Sequence, residues 1–192
     1  MHQAWVVEAV TTIERDFQRS ADTHLIRLDL PAAPGIELYI KDESTHPTGS
    51  LKHRLARSLF LYAICNGWVT EGATVIEASS GSTAVSEAYF AQLLGLPFVA
   101  VMPRGTSAAK VAQIAFYGGK SHFVDNPAEI YSAAERLARE TNGHHMDQVT
   151  YCLLYTFEPA QQRSRVSLGG SRIIQKKQKK STTPYRKQEQ QK

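Results

Sequence analysis

Apolar residues follow a helical spacing at the start of the chain and an alternating pattern shortly after it. Trp5, Ala9, Ile13 and Phe17 lie four residues apart and predict an amphipathic helix that packs one stripe of side chains on a core. Residues 35–40 alternate between apolar and polar side chains, which is typical of a half-buried strand. The chain is therefore predicted to open with a helix followed by extended structure.

A second helix is predicted after a turn at residues 46–49. Apolar residues recur on one side of this segment, which predicts the face that meets the core, and Asn66-Gly67 has the composition of a helix C-terminus. The predicted face consists of Leu51, Leu55, Leu59 and Tyr62.

Strands and helices are predicted to alternate from residue 74 onward. Short apolar runs predict the strands, and capping residues such as Ser107 and Asn126-Pro127 predict where helices begin. The strands are assigned to residues 74–78, 97–102 and 121–124. Such strand–helix units favour an α/β fold, in which a parallel sheet carries helices on both faces.

The composition changes towards the end of the chain. Residues 149–155 would suit one further strand, but residues 161–192 contain ten lysine or arginine residues and one glutamate, whereas the preceding residues contain 12 basic and 17 acidic ones. So polar a segment buries too little apolar surface to offset its chain entropy. We therefore predict a folded body of residues 1–148 and a basic, disordered tail of residues 149–192.

Several classes of function find no support in the sequence. No apolar run approaches the roughly eighteen residues of a membrane span, and the N-terminus lacks the pattern of a secretory signal. Cys65 and Cys152 do not form a CxxC pair, so a reducing cytoplasm is the expected location. His144 and His145 suit a polar loop better than a metal site. We predict no metal, no membrane contact and no specific nucleic-acid partner for the basic tail.

A lysine stands at the start of the second predicted helix. Lys52 follows the turn Pro47-Thr48-Gly49-Ser50 and would lie in the first helical turn, where the positive end of the helix dipole does not favour a cation. A solvated lysine is one interpretation of this position. The other is an amine kept reactive for bonding to the aldehyde of a cofactor.

A loop rich in hydroxyl groups joins the next strand to its helix. Residues 79–83 read Ser-Ser-Gly-Ser-Thr. Backbone N–H groups at a helix start, together with these hydroxyls, can bind an anion. The loop also fits an ordinary serine cap, and a carboxylate suits it as well as a phosphate does.

The two loops, in this order, resemble the cysteine synthase and cystathionine β-synthase family. The likeness spans roughly residues 1–148, and the wording of the second loop is most similar to bacterial L-cysteine desulfhydrases. It is carried by Pro47-x-Gly49-Ser50-x-Lys52-x-Arg54, by Ser80-Gly81-x-Thr83, and by residues 22–28, Val101-Met102-Pro103 and Tyr117-Gly118-Gly119.

The resemblance implies a fold-type-II fold like that of the tryptophan synthase β chain, with pyridoxal 5'-phosphate as cofactor. Lys52 would hold the cofactor and act as the base at the substrate Cα. Ser82 would lie beside the cofactor ring, where the family usually has an asparagine, and His53 replaces a usual aspartate. The substrate carboxylate would be held by Ser79, Ser80, Gly81, Thr83 and Gln148.

The resemblance ends after Gln148. The family continues with a glycine-rich loop for the cofactor phosphate and a hydroxyl group that faces the pyridine nitrogen. Residues 167–171 imitate such a loop, but no helical pattern follows them. We therefore expect this chain to be a truncated, incomplete copy of the family's full length.

The activity that the resemblance implies is a lyase reaction, in which L-cysteine loses sulfide by β-elimination and yields pyruvate and ammonia. The alternative is β-replacement, as in cysteine synthase or cystathionine β-synthase, with a substrate such as O-acetylserine. A third hypothesis is a non-catalytic truncated fragment with a basic tail. For the intact family the resemblance implies a homodimer.

Overall fold

The structure is a computed structural model, and it describes residues 2–20, 23–33 and 35–151. Nearly all of the predicted tail, from residue 152 on, lies outside the described residues. Residues 148–151 form a helical turn, in which the Tyr151 N–H donates to the Asp147 carbonyl at 3.2 Å. The strand predicted for residues 149–155 is therefore wrong for its described part, because this turn satisfies its backbone locally.

The described part of the chain begins with a helix and two consecutive strands, after which helices and strands alternate. None of its helices is long and apolar enough to cross a membrane. The elements are α1 (His2–Ser20), β1 (Leu25–Leu28), β2 (Leu38–Lys41), α2 (Lys52–Cys65), β3 (Val75–Glu77), α3 (Ser82–Leu93), β4 (Phe98–Pro103), α4 (Ala108–Phe116), β5 (Lys120–Val124), a 3₁₀-helix (Pro127–Glu129), α5 (Ile130–Glu140) and β6 (His144–His145).

The last four strands form one parallel sheet in the order β5-β4-β3-β6. Val75 of β3 lies opposite Phe98 of β4 on one side and opposite His144 of β6 on the other. Consecutive strands can all run parallel because a helical segment returns the chain between them. The α/β class predicted from alternating strands and helices is confirmed.

Alternate side chains of the central strands face two different helical layers, as the pleat of a strand requires. Val75 and Met102 lie in the core that includes buried residues of α1, α2, α3 and α4. Ile76 and Val101 lie in a second core with Ala133 and Ala134 of α5. Helices therefore cover both faces of the sheet, as predicted.

The face that α2 buries differs from the predicted one. Leu51 and Tyr62 are exposed, and Leu59 is the member of the predicted face that is buried. Because α2 packs against both α1 and α3, its contact surface is turned away from the leucine stripe. The buried side chains are His53, Ala56, Leu59, Phe60, Ala63 and Ile64.

Two further predictions fail for the extended segments. Every residue of β1 and β2 is exposed, so the predicted half-buried strand is wrong. Within the described part of the chain the two strands pair only with each other, with Ile26 opposite Ile40. The polar loop predicted at His144 and His145 is instead strand β6, since the His144 N–H donates to the Thr74 carbonyl at 2.8 Å.

Candidate active site

Lys52 is the first residue of α2 and follows a tight turn. The Gly49 N–H donates to the His46 carbonyl at 2.7 Å, and Gly49 has a φ of +65°, a conformation that favours glycine. The Lys52 N–H donates to the Ser50 hydroxyl at 3.2 Å, and no acidic residue lies in the first turn of α2. The turn therefore fixes the backbone of Lys52.

The amine of Lys52 is available for chemistry. Its side chain is half-buried, and Nζ has neither a hydrogen-bond nor an ion-pair partner among the described residues. By contrast, Lys41 Nζ donates to the Thr23 carbonyl and Lys110 Nζ donates to Gln113 at 3.2 Å. A half-buried amine without a partner, at a helix end that does not favour a cation, is suited to act as a nucleophile.

The loop between β3 and α3 places its donors without capping the helix. Gly81 is the N-cap of α3, so no side chain binds the first N–H groups of the helix. Ser79 Oγ accepts the Gly81 N–H at 3.3 Å, whereas the Ser80 and Ser82 hydroxyls have no partner among the described residues. The ordinary serine cap is therefore not what forms here, and an anion would find both N–H and hydroxyl donors.

Gln148, to which the resemblance assigns the same carboxylate as the loop, lies beside this loop. The Thr83 hydroxyl donates to Gln148 Oε1 at 2.7 Å, and both side chains are at least half-buried. Neighbouring strands β3 and β6 run parallel, so the segments that follow them meet at one edge of the sheet. That edge is where α/β proteins bind their ligands.

The turn before Lys52 is bonded to α3 through side chains to which the sequence analysis assigned no role. Thr48 Oγ1 lies 3.0 Å from Ser86 Oγ and 3.3 Å from His53 Nδ1. His53 Nε2 lies 3.3 Å from Asp16 Oδ2, and the Tyr89 hydroxyl donates to Asp16 Oδ1 at 2.5 Å. We call these five residues the His53 cluster. It brings the Lys52 turn and α3 together.

Glu43 anchors the outer side of the same turn. Arg54 Nε donates to Glu43 at 2.7 Å, Arg54 Nη2 donates to Thr23 at 2.9 Å, and His46 Nε2 lies 2.8 Å from Glu43. The Arg54 hydrogen bond, with smaller contributions from His46 and Thr23, lowers the pKa of Glu43 to about 2. Arg54, which belongs to the predicted motif, thus has a structural partner.

A second group of buried acids lies behind the loop. Glu77 ends β3 and Glu87 lies in α3; both are fully buried, and none of their carboxyl oxygens has a hydrogen-bond partner among the described residues. Burial raises the pKa of Glu77, against the effect of Gln148, and burial together with the Glu77 charge raises the pKa of Glu87. We call these two residues the glutamate pair.

The sequence contained a signal for the glutamate pair but not for the His53 cluster. Glu87 interrupts an apolar stretch of α3, and a charge inside such a stretch marks a buried polar group. Asp16 is 37 residues from His53 along the chain, so no local pattern joins the two.

The residues present fit the aldehyde end of pyridoxal phosphate. That end needs an amine for covalent attachment and hydrogen-bond donors beside the ring. The Lys52 amine and the Ser82 hydroxyl are both half-buried and without partners in the described part of the chain. The donor set therefore suits a carbonyl cofactor with a polar ring substituent.

The parallel α/β sheet is followed at its carboxyl edge by a loop of N–H and hydroxyl donors, and the Lys52 amine has no partner among the described residues, an arrangement that suits an enzyme with a carbonyl cofactor. Residues 17–156 match the family described as pyridoxal-phosphate dependent enzyme, and the chain belongs to this family. The expected family is thereby confirmed.

Known proteins narrow the resemblance further. The chain is 55% identical to L-cysteine desulfhydrase Cds1 of Mycobacterium tuberculosis over 188 residues, which cover 96% of this chain and 50% of that protein. It is 34% identical to cysteine synthase B of Pseudomonas aeruginosa over 131 residues, which cover 66% of this chain and 44% of that protein. The chain thus spans half or less of the length of these relatives.

A solved structure supports the fold directly. The crystal structure of O-ureido-L-serine synthase matches 72% of this chain and 42% of its own chain, with a TM-score of 0.62 and 31% sequence identity. The fold-type-II architecture implied by the resemblance is confirmed by this match.

Proposed function

We propose that the protein takes part in pyridoxal-phosphate-dependent β-elimination of L-cysteine. The observation that carries the proposal is the Lys52 amine, which has no partner among the described residues and follows a turn that is hydrogen-bonded to α3, the helix that begins at the Ser79–Thr83 loop. The identity of 55% to an L-cysteine desulfhydrase supports this substrate over others.

Each side chain of the candidate site has a role in this proposal. Lys52 attaches the cofactor and then holds the proton removed from the substrate Cα. Ser82 would donate to the polar substituent of the cofactor ring through its hydroxyl, which has no partner among the described residues. The substrate carboxylate is bound by Ser79, Ser80, Gly81, Thr83 and Gln148.

The Gln148 amide is oriented for that role. Its Oε1 accepts the Thr83 hydroxyl, so a carboxylate can bind to this amide only at its Nε2 hydrogens, which also act on the Glu77 carboxyl. The free N–H groups at the start of α3 add further donors, and charge-assisted hydrogen bonds of this kind are the strong ones.

The overall reaction balances with water as the co-reactant. L-Cysteine and water give pyruvate, ammonia and hydrogen sulfide: the C–S bond breaks, the sulfur leaves with a proton, and water replaces nitrogen on the former Cα. When bound, the cofactor supplies an electron sink for the carbon that loses its proton.

β-Replacement is the second candidate, and the relatives give it an independent basis. Cysteine synthase B and O-ureido-L-serine synthase both match this chain at more than 30% identity. The residues described here serve elimination and replacement equally, since both begin with proton removal at Cα. Sulfide release without an added second substrate distinguishes elimination.

A non-catalytic fragment with a basic tail is the candidate of another class. The division into a body of residues 1–148 and a tail of residues 149–192 is part of that hypothesis, and the 96% coverage in the desulfhydrase alignment is the observation that weighs against a tail wholly unrelated to the family. The homodimer and the cytoplasmic location implied by the resemblance remain predictions.

Covalent trapping tests the proposal at Lys52. The chain is incubated with pyridoxal phosphate, reduced with borohydride and mapped by mass spectrometry, and sulfide release from L-cysteine is measured in parallel. We expect label on Lys52 and its loss in Lys52→Ala, while Lys120→Ala, which removes an exposed lysine, keeps it. Label confined to other lysines would contradict the assignment. Label without sulfide release would favour the non-catalytic fragment.

A further inference from the structure

His53 is a buried histidine with a partner on each ring nitrogen. Its side chain is fully buried, Nε2 faces Asp16 at 3.3 Å and Nδ1 faces Thr48 at 3.3 Å. The ring also stacks on His46, with 5.1 Å between centroids and 20° between planes. A buried imidazole held on both sides keeps one orientation.

The chemistry of the partners fixes which nitrogen carries hydrogen. Asp16 also accepts hydrogen bonds from Arg19 at 2.6 Å and from Tyr89 at 2.5 Å on its other oxygen. A carboxylate in this setting only accepts, so Nε2 of His53 must donate to it. Burial lowers the pKa of His53 to about 4, so the ring is neutral at pH 7 and Nδ1 is an acceptor.

The remaining directions follow in turn. Thr48 has one hydroxyl hydrogen, which goes to His53 Nδ1, so its oxygen must accept from Ser86. The hydrogen bonds therefore run from Ser86 to Thr48, from Thr48 to His53 and from His53 to Asp16.

This directed series of hydrogen bonds links the turn before Lys52 to helix α3. Thr48 lies on the turn that positions Lys52, and Ser86 lies one turn along α3 from Thr83. Asp16 belongs to α1 and also accepts hydrogen bonds from Arg19 and Tyr89, so the other end of this series of hydrogen bonds is held between α1 and α3. A shift of the Lys52 turn relative to α3 would break the hydrogen bond between Thr48 and Ser86.

We propose that Thr48 and His53 are positioning residues, which hold Lys52 in place relative to the start of α3 through this directed hydrogen-bond chain. The proposal rests on the proposed function for its consequence at Lys52, whereas the direction of the chain stands independently of it. Small displacements of a reacting group cost much rate, so the chain should matter most for the reactivity of the amine.

The direction of the chain is measured by long-range ¹H–¹⁵N spectroscopy of the ¹⁵N-labelled protein at pH 7. We expect His53 to show a protonated Nε2 and an unprotonated Nδ1 that accepts a hydrogen bond. Thr48→Val should move the Nδ1 signal to that of an unbonded nitrogen, and Thr48→Ser should restore it. A His53 that is protonated on Nδ1 would overturn the assigned direction.

The positioning role is measured by the rate at which pyridoxal phosphate and borohydride label Lys52. Thr48→Val should slow labelling about tenfold, because a buried acceptor loses its donor, while Thr48→Ser should label at a rate close to that of the unchanged protein. Thr45→Val is the matched control, since the Thr45 side chain is exposed on the same loop. It should not change the rate.

Each outcome decides a different statement. Equal labelling rates for Thr48→Val and Thr48→Ser overturn the positioning role and leave the proposed function standing. Absence of label on Lys52 in the unchanged protein overturns the proposed function and the positioning role together, and the spectrum still decides the direction. If Thr48→Val does not fold, Ser86→Ala replaces it, with an expected slowing of about two- to tenfold; no slowing overturns the positioning role.

Discussion

The His53 cluster and the glutamate pair are both buried groups of ionisable and polar side chains, yet they are built in opposite ways. Hydrogen bonds of 2.5–3.3 Å join the residues of the His53 cluster. The glutamate pair has no hydrogen-bond partner for its carboxyl oxygens in the described part of the chain. In the first group hydrogen-bond donors stabilise the charge of the carboxylate, whereas in the second burial favours the neutral, protonated carboxyl.

The difference shows what keeps each group stable in the same interior. A buried carboxylate that accepts several hydrogen bonds, as Asp16 does, keeps its charge at a modest cost. A buried carboxyl without donors becomes neutral, and burial accordingly raises the pKa of Glu77 and of Glu87. We therefore expect the two groups to respond in opposite directions to mutation and to pH.

The largest effect is expected from removing the acceptor of the His53 cluster. Asp16→Ala leaves the Nε2 hydrogen of His53, the Tyr89 hydroxyl and Arg19 without their acceptor. We expect the free energy of unfolding in urea to fall by about 3–5 kcal/mol, the usual result of removing one partner from a buried pair. Asp125→Ala breaks the exposed ion pair with Arg104 and should leave the urea midpoint unchanged. A similar midpoint for both variants would show that the cluster adds no stability.

The glutamate pair should respond with the opposite sign. Glu87→Met replaces an unpartnered, fully buried carboxyl by an apolar side chain of similar length. We expect this variant to raise the free energy of unfolding by about 1–3 kcal/mol at pH 8, because the desolvation penalty disappears. The measurement is urea denaturation, with Glu140→Met on the exposed end of α5 as control. Destabilisation by Glu87→Met would mean that the carboxyl has a partner or a role.

The pH dependence of stability separates the two kinds of group. Burial lowers the pKa of His53 and of His144 to about 4, so between pH 4 and 6.5 only the unfolded chain binds these protons, and stability is lost as pH falls. Burial raises the pKa of Glu77 from 4.5 to about 7, so between those values the folded chain keeps the proton, and stability is lost as pH rises. In their shared window the two slopes oppose each other.

Burial raises the pKa of Glu87 as well, so this group also makes stability fall as pH rises. Glu87→Met removes that contribution and should make stability rise more steeply with pH between 5 and 6.5. The change expected in the slope is up to about 1.4 kcal/mol per pH unit, since one proton difference is removed. His144→Gln should change the slope in the other direction. Urea midpoints recorded at several pH values measure both variants, and parallel curves for all three proteins would contradict the assigned protonation states.

The comparison also explains which parts of the structure the sequence could predict. Elements with continuous local patterns were predicted correctly. So was the helix start at Asn126, whose side chain accepts the Ala128 N–H at 3.1 Å. Strand β6 was missed because two residues carry no periodicity, and they are extended only because they pair with β3. The buried face of α2 was missed because tertiary packing, not the leucine stripe, selects it.

The candidate site divides in the same way. Lys52, Ser79 to Thr83 and Gln148 were predicted from the family resemblance, and the structure joins Thr83 to Gln148. The His53 cluster joins residues far apart in the chain, so it exists only in the folded arrangement. Long-range polar contacts of this kind are the part of a site that local patterns do not contain.

The smallest effect is expected at the solvent edge of the same turn, where Glu43 sits between buried and exposed surroundings. Arg54→Lys removes the planar guanidinium that binds Glu43 and Thr23 at once, and an ammonium cannot reproduce both contacts. Because the Arg54 side chain is 34% exposed, solvent screens much of the interaction, and we expect a loss of no more than about 1 kcal/mol in the free energy of unfolding.

In the same variant the pKa of Glu43 should rise from about 2 towards its ordinary 4.5, since Arg54 is the main cause of the lowering. A ¹³C carboxyl titration measures that pKa directly, with Arg139→Lys, on the exposed ion pair with Glu135, as control. An unchanged Glu43 pKa would show that hydrogen bonds from His46 and Thr23 are enough to keep the Glu43 carboxylate charged, and that Arg54 is not needed for this.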